Sequence, residues 1–461
     1  MQTTSAAYFA FIAAAFFVYW VLSRFRVLRL AVIAFANILF CARFGVFYVI
    51  LIPAAAAIDF LIGLGLTNFR QAFVRRLLLG ISIAMNIGLL VGSRHMGLIL
   101  EYARPAERWD WIFPLGLSFY AFQALTYTID LYRRDAEGTS SILAHLASVS
   151  FFPTMLAGPI TRVADLVKQF EREPKLMPSE GGRAFFLIGL GLLKKFLIAD
   201  YLAENLVNRV FDTPDLYSGL EVLVGVVAYS LQLYYDFSGY TDIARGAGQL
   251  FAIKLPINFD RPYLSLDIAE FWRRWHISFS SWLRDYLYFA LPGNRTAVMP
   301  YLNLIVTMAL GGLWHGVTWN FLIWGLLHGF GLAIVRGWQA WRGRWKPPIP
   351  WYKQIPAVLC TYLFVCFTWI FFRSGTLDQA LGILRRIGSL TISTQNLSPS
   401  IAGVMLIAAS GCLVSKKMYS TVIDFFSARP VLVHALVLAL IAIAIESLGG
   451  RGSAPFVYSR F

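Results

Sequence analysis

Charge is what this chain lacks. Only 14% of its 461 residues are charged, against 58% hydrophobic, and its mean hydropathy is +0.63. A soluble domain carries roughly a quarter charged residues, so a water-exposed globular fold is excluded. The longest polar stretches, 161–183, 336–354 and 373–399, are too short for an independent soluble domain and read as loops with short interfacial helices. Internal repeats and low-complexity tracts are missing too. The cysteines are Cys41, Cys360, Cys366 and Cys412. They stand singly in or beside apolar segments, with no spacing for zinc or a disulfide framework, and are expected to be small buried hydrophobes. No Walker A motif, nucleotide-binding glycine fingerprint or HExxH is present, and GLSFY at 116–120 lacks the second glycine of a nucleophile elbow. Nucleotide hydrolysis, zinc chemistry and serine chemistry therefore have no support, and no metal site is expected.

What the chain has instead is long apolar runs. The clearest are 5–22, 46–67, 78–93, 112–128, 185–199, 219–235, 302–313, 318–335, 355–372, 401–415 and 431–447. A helix needs about 20 residues to cross a bilayer, so these predict an all-α, polytopic integral membrane protein. The first run has no basic residue before Arg24 and no small-residue cleavage site, and is expected to be an uncleaved span.

The net charge of +15 suggests nucleic acid in a soluble protein. Here the basic residues stand at the ends of apolar runs, as the positive-inside rule predicts for cytoplasmic loops. Arg24, Arg26 and Arg29 form one cluster, Arg70, Arg75 and Arg76 a second, Arg133 and Arg134 a third. Later clusters are Arg336, Arg342, Arg344, Lys346 and Lys353, then Lys416 and Lys417. The expected surroundings are membrane lipids, with no nucleic acid partner.

Between about 229 and 316 the pattern changes. Asp236, Asp242, Arg245, Asp260, Arg261, Asp267, Glu270 and His315 interrupt the apolar sequence. Ionisable groups at membrane depth are costly and mark an interior cavity or pathway by default. The proline-broken LPINFDRPY (255–263) is tolerated there only inside protein or along a watery cavity. Function is expected to be concentrated in this region.

Three stretches carry the candidates. FWRRWHISFSSWLRDYLYF (271–289), wound as one helix, places Trp272, Trp275, His276, Phe279, Trp282 and Tyr286 on one face and Arg274, Ser278, Ser281, Arg284 and Asp285 opposite. Such a helix lies along an interface, with His276 turned into the protein. A buried histidine serves either as a satisfied core hydrogen-bonder or as a functional group, and both readings of His276 stand. In GGLWHGVTWNFLIWGLLHG (311–329), His315 sits in apolar surroundings that hold an imidazole neutral, the form a general base needs. It is the leading catalytic candidate, with Trp314, Asn320 and His328 beside it in sequence. LQLYYDFSGYTDIARG (231–246) sets Asp236, Ser238, Tyr240 and Asp242 close together, with Asp242 able to pair with Arg245. It reads either as polar helix lining or as a carboxylate dyad.

Taken together, these stretches resemble the bacterial branch of the membrane-bound O-acyltransferases. The resemblance rests on DFSGYTDIARG (236–246), LPINFDRPYLS (255–265), FWRRWHISFSSWLRDYLY (271–288), GNR (293–295) and GGLWHG (311–316). It extends to FPLGLSFYAFQALTYTIDLYRR (113–134) and FFPTMLAGPITR (151–162). It implies about 11 transmembrane helices with interfacial and re-entrant helices around a central tunnel. The whole chain, 1–461, is then one membrane-embedded unit: N-terminal spans (1–110), a family core (111–335) and C-terminal spans (336–461). It implies that His315 is the catalytic histidine and His276 a second tunnel residue, with Asp236, Ser238, Tyr240, Asp242, Trp314, Asn320 and His328 as lining. Arg273, Arg274, Arg284, Asn294 and Arg295 are expected to meet the acyl donor or a partner. Where relatives read PLGGNR, this chain has FALPGNR (289–295), so that loop is rebuilt.

The implied activity is acyl transfer, most simply of acetyl, from a cytoplasmic thioester (acetyl-CoA or an acyl carrier protein) with no permanently bound cofactor. The acceptor is a hydroxyl of an envelope polysaccharide, or of a secreted or membrane-anchored acetyltransferase partner. The location is the bacterial inner membrane. D-alanyl transfer from a phosphopantetheine carrier is the alternative within the class. A transporter or flippase is the alternative outside it, although no inverted repeat of the kind many transporters carry is visible.

Overall fold

The computed structural model describes residues 4–43, 45–103, 116–156, 158–293, 296–343 and 349–448. Among them every regular element is helical. The chain is an all-α, polytopic membrane protein. Among the described residues, four helices are long and apolar enough to cross a bilayer: Phe47–Asn68, Ala72–Gly92, Trp319–Arg342 and Trp351–Arg373. Pro399–Leu413 and Lys416–Ser427 form a further apolar pair bent by 97°. The other apolar runs lie on helices that are shorter, or that carry polar residues along their length.

The described residues cluster into two interleaved compact units. One comprises Met1–Ile188 with Tyr240–Pro256 and Phe426–Ala428; the other comprises Gly189–Gly239, Ile257–Phe425 and the C-terminal helix. In the first unit, two arginines read as loop charges are buried instead. Arg29 donates to the carbonyls of Ser23, Phe170 and Arg172 at 3.0, 2.8 and 2.9 Å. Arg75 donates to the carbonyls of Leu66, Leu131 and Tyr132. Each guanidinium satisfies carbonyls that helix ends leave without intrahelical donors. Asp59 is also buried in this unit, accepting from Ser82 at 2.7 Å and from Asn86 at 3.0 and 3.2 Å.

The second unit is organised by a crossing between Met299–His315 and Trp319–Arg342. Glycines make the approach possible. A β-carbon at Gly312 would run into the Phe321 carbonyl oxygen, and one at Gly325 into the Met308 carbonyl oxygen. At Gly329 it would lie 2.7 Å from Ile305 Cα. Small residues at such contacts let helix backbones meet where lipid supplies no hydrophobic drive.

The stretch 271–289 is not one helix. Ile268–Arg274, capped by the Asp267 side chain on Glu270 N–H, ends at Trp275. Ile277–Trp282 and the π-helical Leu283–Tyr288 follow. His276 sits at the break in left-handed conformation, with φ 43° and ψ 53°. Extended backbone from the neighbouring loop takes over there: Asp260 N–H donates to Arg274 O and Ile277 N–H to Asn258 O, both at 2.9 Å. The wheel thus placed His276 inward correctly but misplaced Ser278, which is buried rather than on the polar face. Cys41, Cys366 and Cys412 are buried as expected, whereas Cys360 is exposed on Trp351–Arg373.

Gly312→Leu should lower the melting temperature in detergent by an amount corresponding to about 1–3 kcal/mol, the usual cost of overpacking. Gly403→Ala is the control, because its β-carbon would meet nothing within 4 Å; it should leave the melting temperature unchanged or slightly raised.

Candidate active site

His315 ends its helix, is 4% exposed, and is enclosed by aromatic rings. Trp314 lies at 4.5 Å between centroids, Phe372 at 4.9 Å, Trp324 at 5.3 Å, and Phe279 and Phe321 at 6.0 Å. His276 is 1% exposed. Its ring packs on Phe237 at 4.6 Å and Phe279 at 5.1 Å. The two histidines expected to act are therefore brought to the same aromatic ring, Phe279, although 39 positions separate them in the sequence. Trp314 stacks on that ring at 4.6 Å.

Among the described residues, side-chain polar contacts to the His276 ring come from one residue. Its Nδ1 lies 3.2 Å from Asn258 Oδ1, while its Nε2 is buried with no hydrogen-bond partner. The same Oδ1 accepts from the Ser278 amide at 3.1 Å and the Ser278 hydroxyl at 3.0 Å. His276 lies outside the long apolar helices, and burial pushes its pKa down to about 3. A neutral imidazole results.

His328 is arranged differently. Trp272 Nε1–H donates to its Nδ1 at 3.2 Å, and its Nε2 lies 3.0 Å from Thr368 Oγ1. An indole N–H can only donate, so Nδ1 accepts and the ring proton sits on Nε2. Thr368 hands its own proton to Val365 O at 2.8 Å, which leaves Oγ1 to accept from Nε2–H. Both ring nitrogens are committed to the protein. Trp324 stands between this histidine and His315, at 5.0 Å from one and 5.3 Å from the other.

The remaining candidates separate. Asn320 is buried and donates to Ser374 O at 2.7 Å. Asp236 pairs with Lys195 at 2.8 Å, and Lys195 also pairs with Asp200 at 2.7 Å, all three buried. Lys195 was missed in the sequence because it lies inside the apolar run 185–199. The only signal was the LysLys pair at 194–195, within what folds as π-helix Lys194–Asp200. Ser238 is buried in the same unit. Tyr240 and Asp242 belong to the first unit, where Asp242 pairs with Arg245 at 3.5 Å as its spacing predicted. Of the arginines expected to meet a donor, Arg274 is held by Glu270 at 2.5 Å and Arg284 by Asp285 at 2.7 Å, while Arg273 is exposed. Asn294, Arg295, Arg344, Lys346 and residues 113–115 lie outside the described residues.

A cleft of about 520 Å³, lined by Pro214, Asp215, Asp378, Gln379, Arg385 and Ser389 among others, shares no residue with this aromatic enclosure.

His328→Leu removes the acceptor of Trp272 and the donor to Thr368. It should cost about 1–3 kcal/mol, as for a buried polar group left without its partner, read as a lower melting temperature in detergent. The transfer rate per folded molecule should stay within a few-fold of wild type.

Residues 131–373 match the model of the membrane-bound O-acyltransferase family. A probable alginate O-acetylase of Azotobacter vinelandii is 44% identical over 276 residues, 58% of this chain and 52% of that protein. The chain thus spans about half the length of that relative. A peptidoglycan O-acetyltransferase of Helicobacter pylori is 32% identical over 426 residues, 85% of this chain and 80% of that protein. A teichoic acid D-alanyltransferase of Streptococcus thermophilus is 32% identical over 253 residues, 49% of this chain and 57% of that protein. The matched region contains Asn258, His276, His315 and His328. The chain belongs to the membrane-bound O-acyltransferase family.

Proposed function

We propose that this protein is an O-acyltransferase that moves an acetyl group from a cytoplasmic thioester to a hydroxyl on the outer side of the bacterial inner membrane. The observation that carries the reading is the placement of two buried histidines on the single ring of Phe279, one of them with an unpartnered Nε2. Family membership and the acetyl-transferring names of the relatives support it.

In the proposed reaction, His315 takes the proton of the acceptor hydroxyl as its oxygen bonds to the thioester carbonyl carbon. The tetrahedral intermediate collapses with cleavage of the carbon–sulfur bond, and the thiolate leaves with the proton that His315 carried. An ester and a free thiol result, and no metal or redox partner enters the balance. Holding donor and acceptor in line in a narrow passage would remove on the order of 7–11 kcal/mol from the bimolecular barrier. His276 assists as a proton relay or orienting group. Asp236, Ser238, Trp314 and Asn320 serve as lining or support. The donor is acetyl-CoA or an acyl carrier protein, whose phosphates would be drawn to exposed Arg273. The acceptor is an envelope polysaccharide, or a secreted or membrane-anchored acetyltransferase that passes the group on.

D-alanyl transfer is the second reading, favoured by the likeness to teichoic acid D-alanyltransferases. Supplying purified membranes with labelled acetyl-CoA or with a D-alanyl carrier protein separates the two.

His315→Ala should lower acyl transfer by about 10²–10⁴-fold, the range for losing a general base, with normal membrane insertion. Undiminished transfer would remove His315 from the chemistry. In proteoliposomes, movement of unmodified substrate by His315→Ala would instead favour a transporter.

A further inference from the structure

Asn258 lies in the loop before the broken segment and is 1% exposed. Its amide orientation follows from its neighbours. The Ser278 backbone N–H, 3.1 Å away, can only donate, so the Asn258 atom facing it is the carbonyl Oδ1. That oxygen also lies 3.2 Å from His276 Nδ1. An amide carbonyl oxygen can only accept, so Nδ1 carries the ring proton. In the neutral imidazole the lone pair is then on Nε2, the nitrogen that is buried without a partner. The backbone reinforces the choice. Ile277 N–H donates to Asn258 O at 2.9 Å, so the same residue holds the left-handed turn at His276 and the tautomer of its ring. Left-handed conformation in a non-glycine residue costs about 1–3 kcal/mol and persists where surrounding structure over-determines it.

We propose that Asn258 is a positioning residue for the transfer reaction, fixing His276 as the Nδ1–H tautomer and aiming its Nε2 lone pair at the transferring proton. The inference rests on the acyl-transfer reading and adds to it: His276 acts through Nε2, and only while Asn258 accepts from Nδ1. The rings packed on the imidazole, Phe237 and Phe279, carry no charge. The Asn258 amide is thus the polar group that orients it.

The test is a double-mutant cycle on the full chain in membranes, with labelled acetyl-CoA as donor. Asn258→Ala alone should lower kcat by about 10–100-fold, part of what a general base supplies, with little change in KM for the donor. In a His276→Gln background the same change should have almost no further effect, because the ring it positions is gone. Asn258→Asp keeps an acceptor for both Nδ1–H and Ser278, so it should retain most activity. A carboxylate beside the ring favours imidazolium, so the acidic limb of its rate profile should move to higher pH. Equal losses from Asn258→Ala with and without His276 would make Asn258 a loop anchor and overturn the inference. An unchanged acidic limb in Asn258→Asp would overturn it as well. Full activity in both His276→Gln and His315→Ala would instead overturn the acyl-transfer reading itself, an outcome distinct from failure of the cycle.

Discussion

The close crossing of Met299–His315 and Trp319–Arg342 is the constraint on which the candidate site depends. Its glycines bring one backbone onto the other near Phe321 and Met308, and the first helix ends at His315. An imidazole at that position inherits its surroundings from the crossing. Phe321 and Trp324 come from the second helix, and Phe372 from the helix packed behind it. Larger residues at Gly312 or Gly325 would separate the backbones and open the enclosure to lipid or water. The His315 ring would then lose the low-dielectric setting of its enclosure, in which electrostatic interactions are strongest.

A second device works alongside the crossing. The aromatic stretch 271–289 is interrupted where loop 257–260 inserts its backbone hydrogen bonds. The interruption turns His276 toward Phe279, whose far neighbours are Trp314 and His315. A continuous helix would have kept all its hydrogen bonds internal and left Asn258 with nothing to hold. The broken form exchanges helical regularity for a fixed ring direction at His276, held by Asn258.

Three buried histidines of this unit, His276, His315 and His328, show how differently the same side chain can be surrounded. His328 has a donor on one nitrogen and an acceptor on the other, which is the condition of a structural histidine. His276 has an acceptor on Nδ1 and, among the described residues, no hydrogen-bond partner on Nε2, so one ring nitrogen is left uncommitted. His315 is defined by its ring enclosure. Spacing alone could not distinguish His315 from His328, because both lie in a Gly- and Trp-rich apolar stretch. Their partners, Trp272, Thr368 and Phe372, come from elsewhere in the chain.

By itself, the sequence determined the helical membrane class, the region where polar residues gather, and both candidate histidines. Composition and apolar run length act locally, and a histidine in apolar surroundings is visible without any fold. The inward direction of His276 was also legible, since an aromatic face must be buried whether or not the helix is continuous. Tertiary structure alone decided the break at Trp275–His276, the burial of Arg29 and Arg75, the Lys195 pairing and the contacts of Asn258. Each depends on hydrogen bonds between segments remote in sequence, such as Asn258 with Ser278 or Arg29 with Phe170. Such bonds leave no periodic trace, because what matters is which backbone happens to approach, and that is set by packing rather than by the residue's own neighbours.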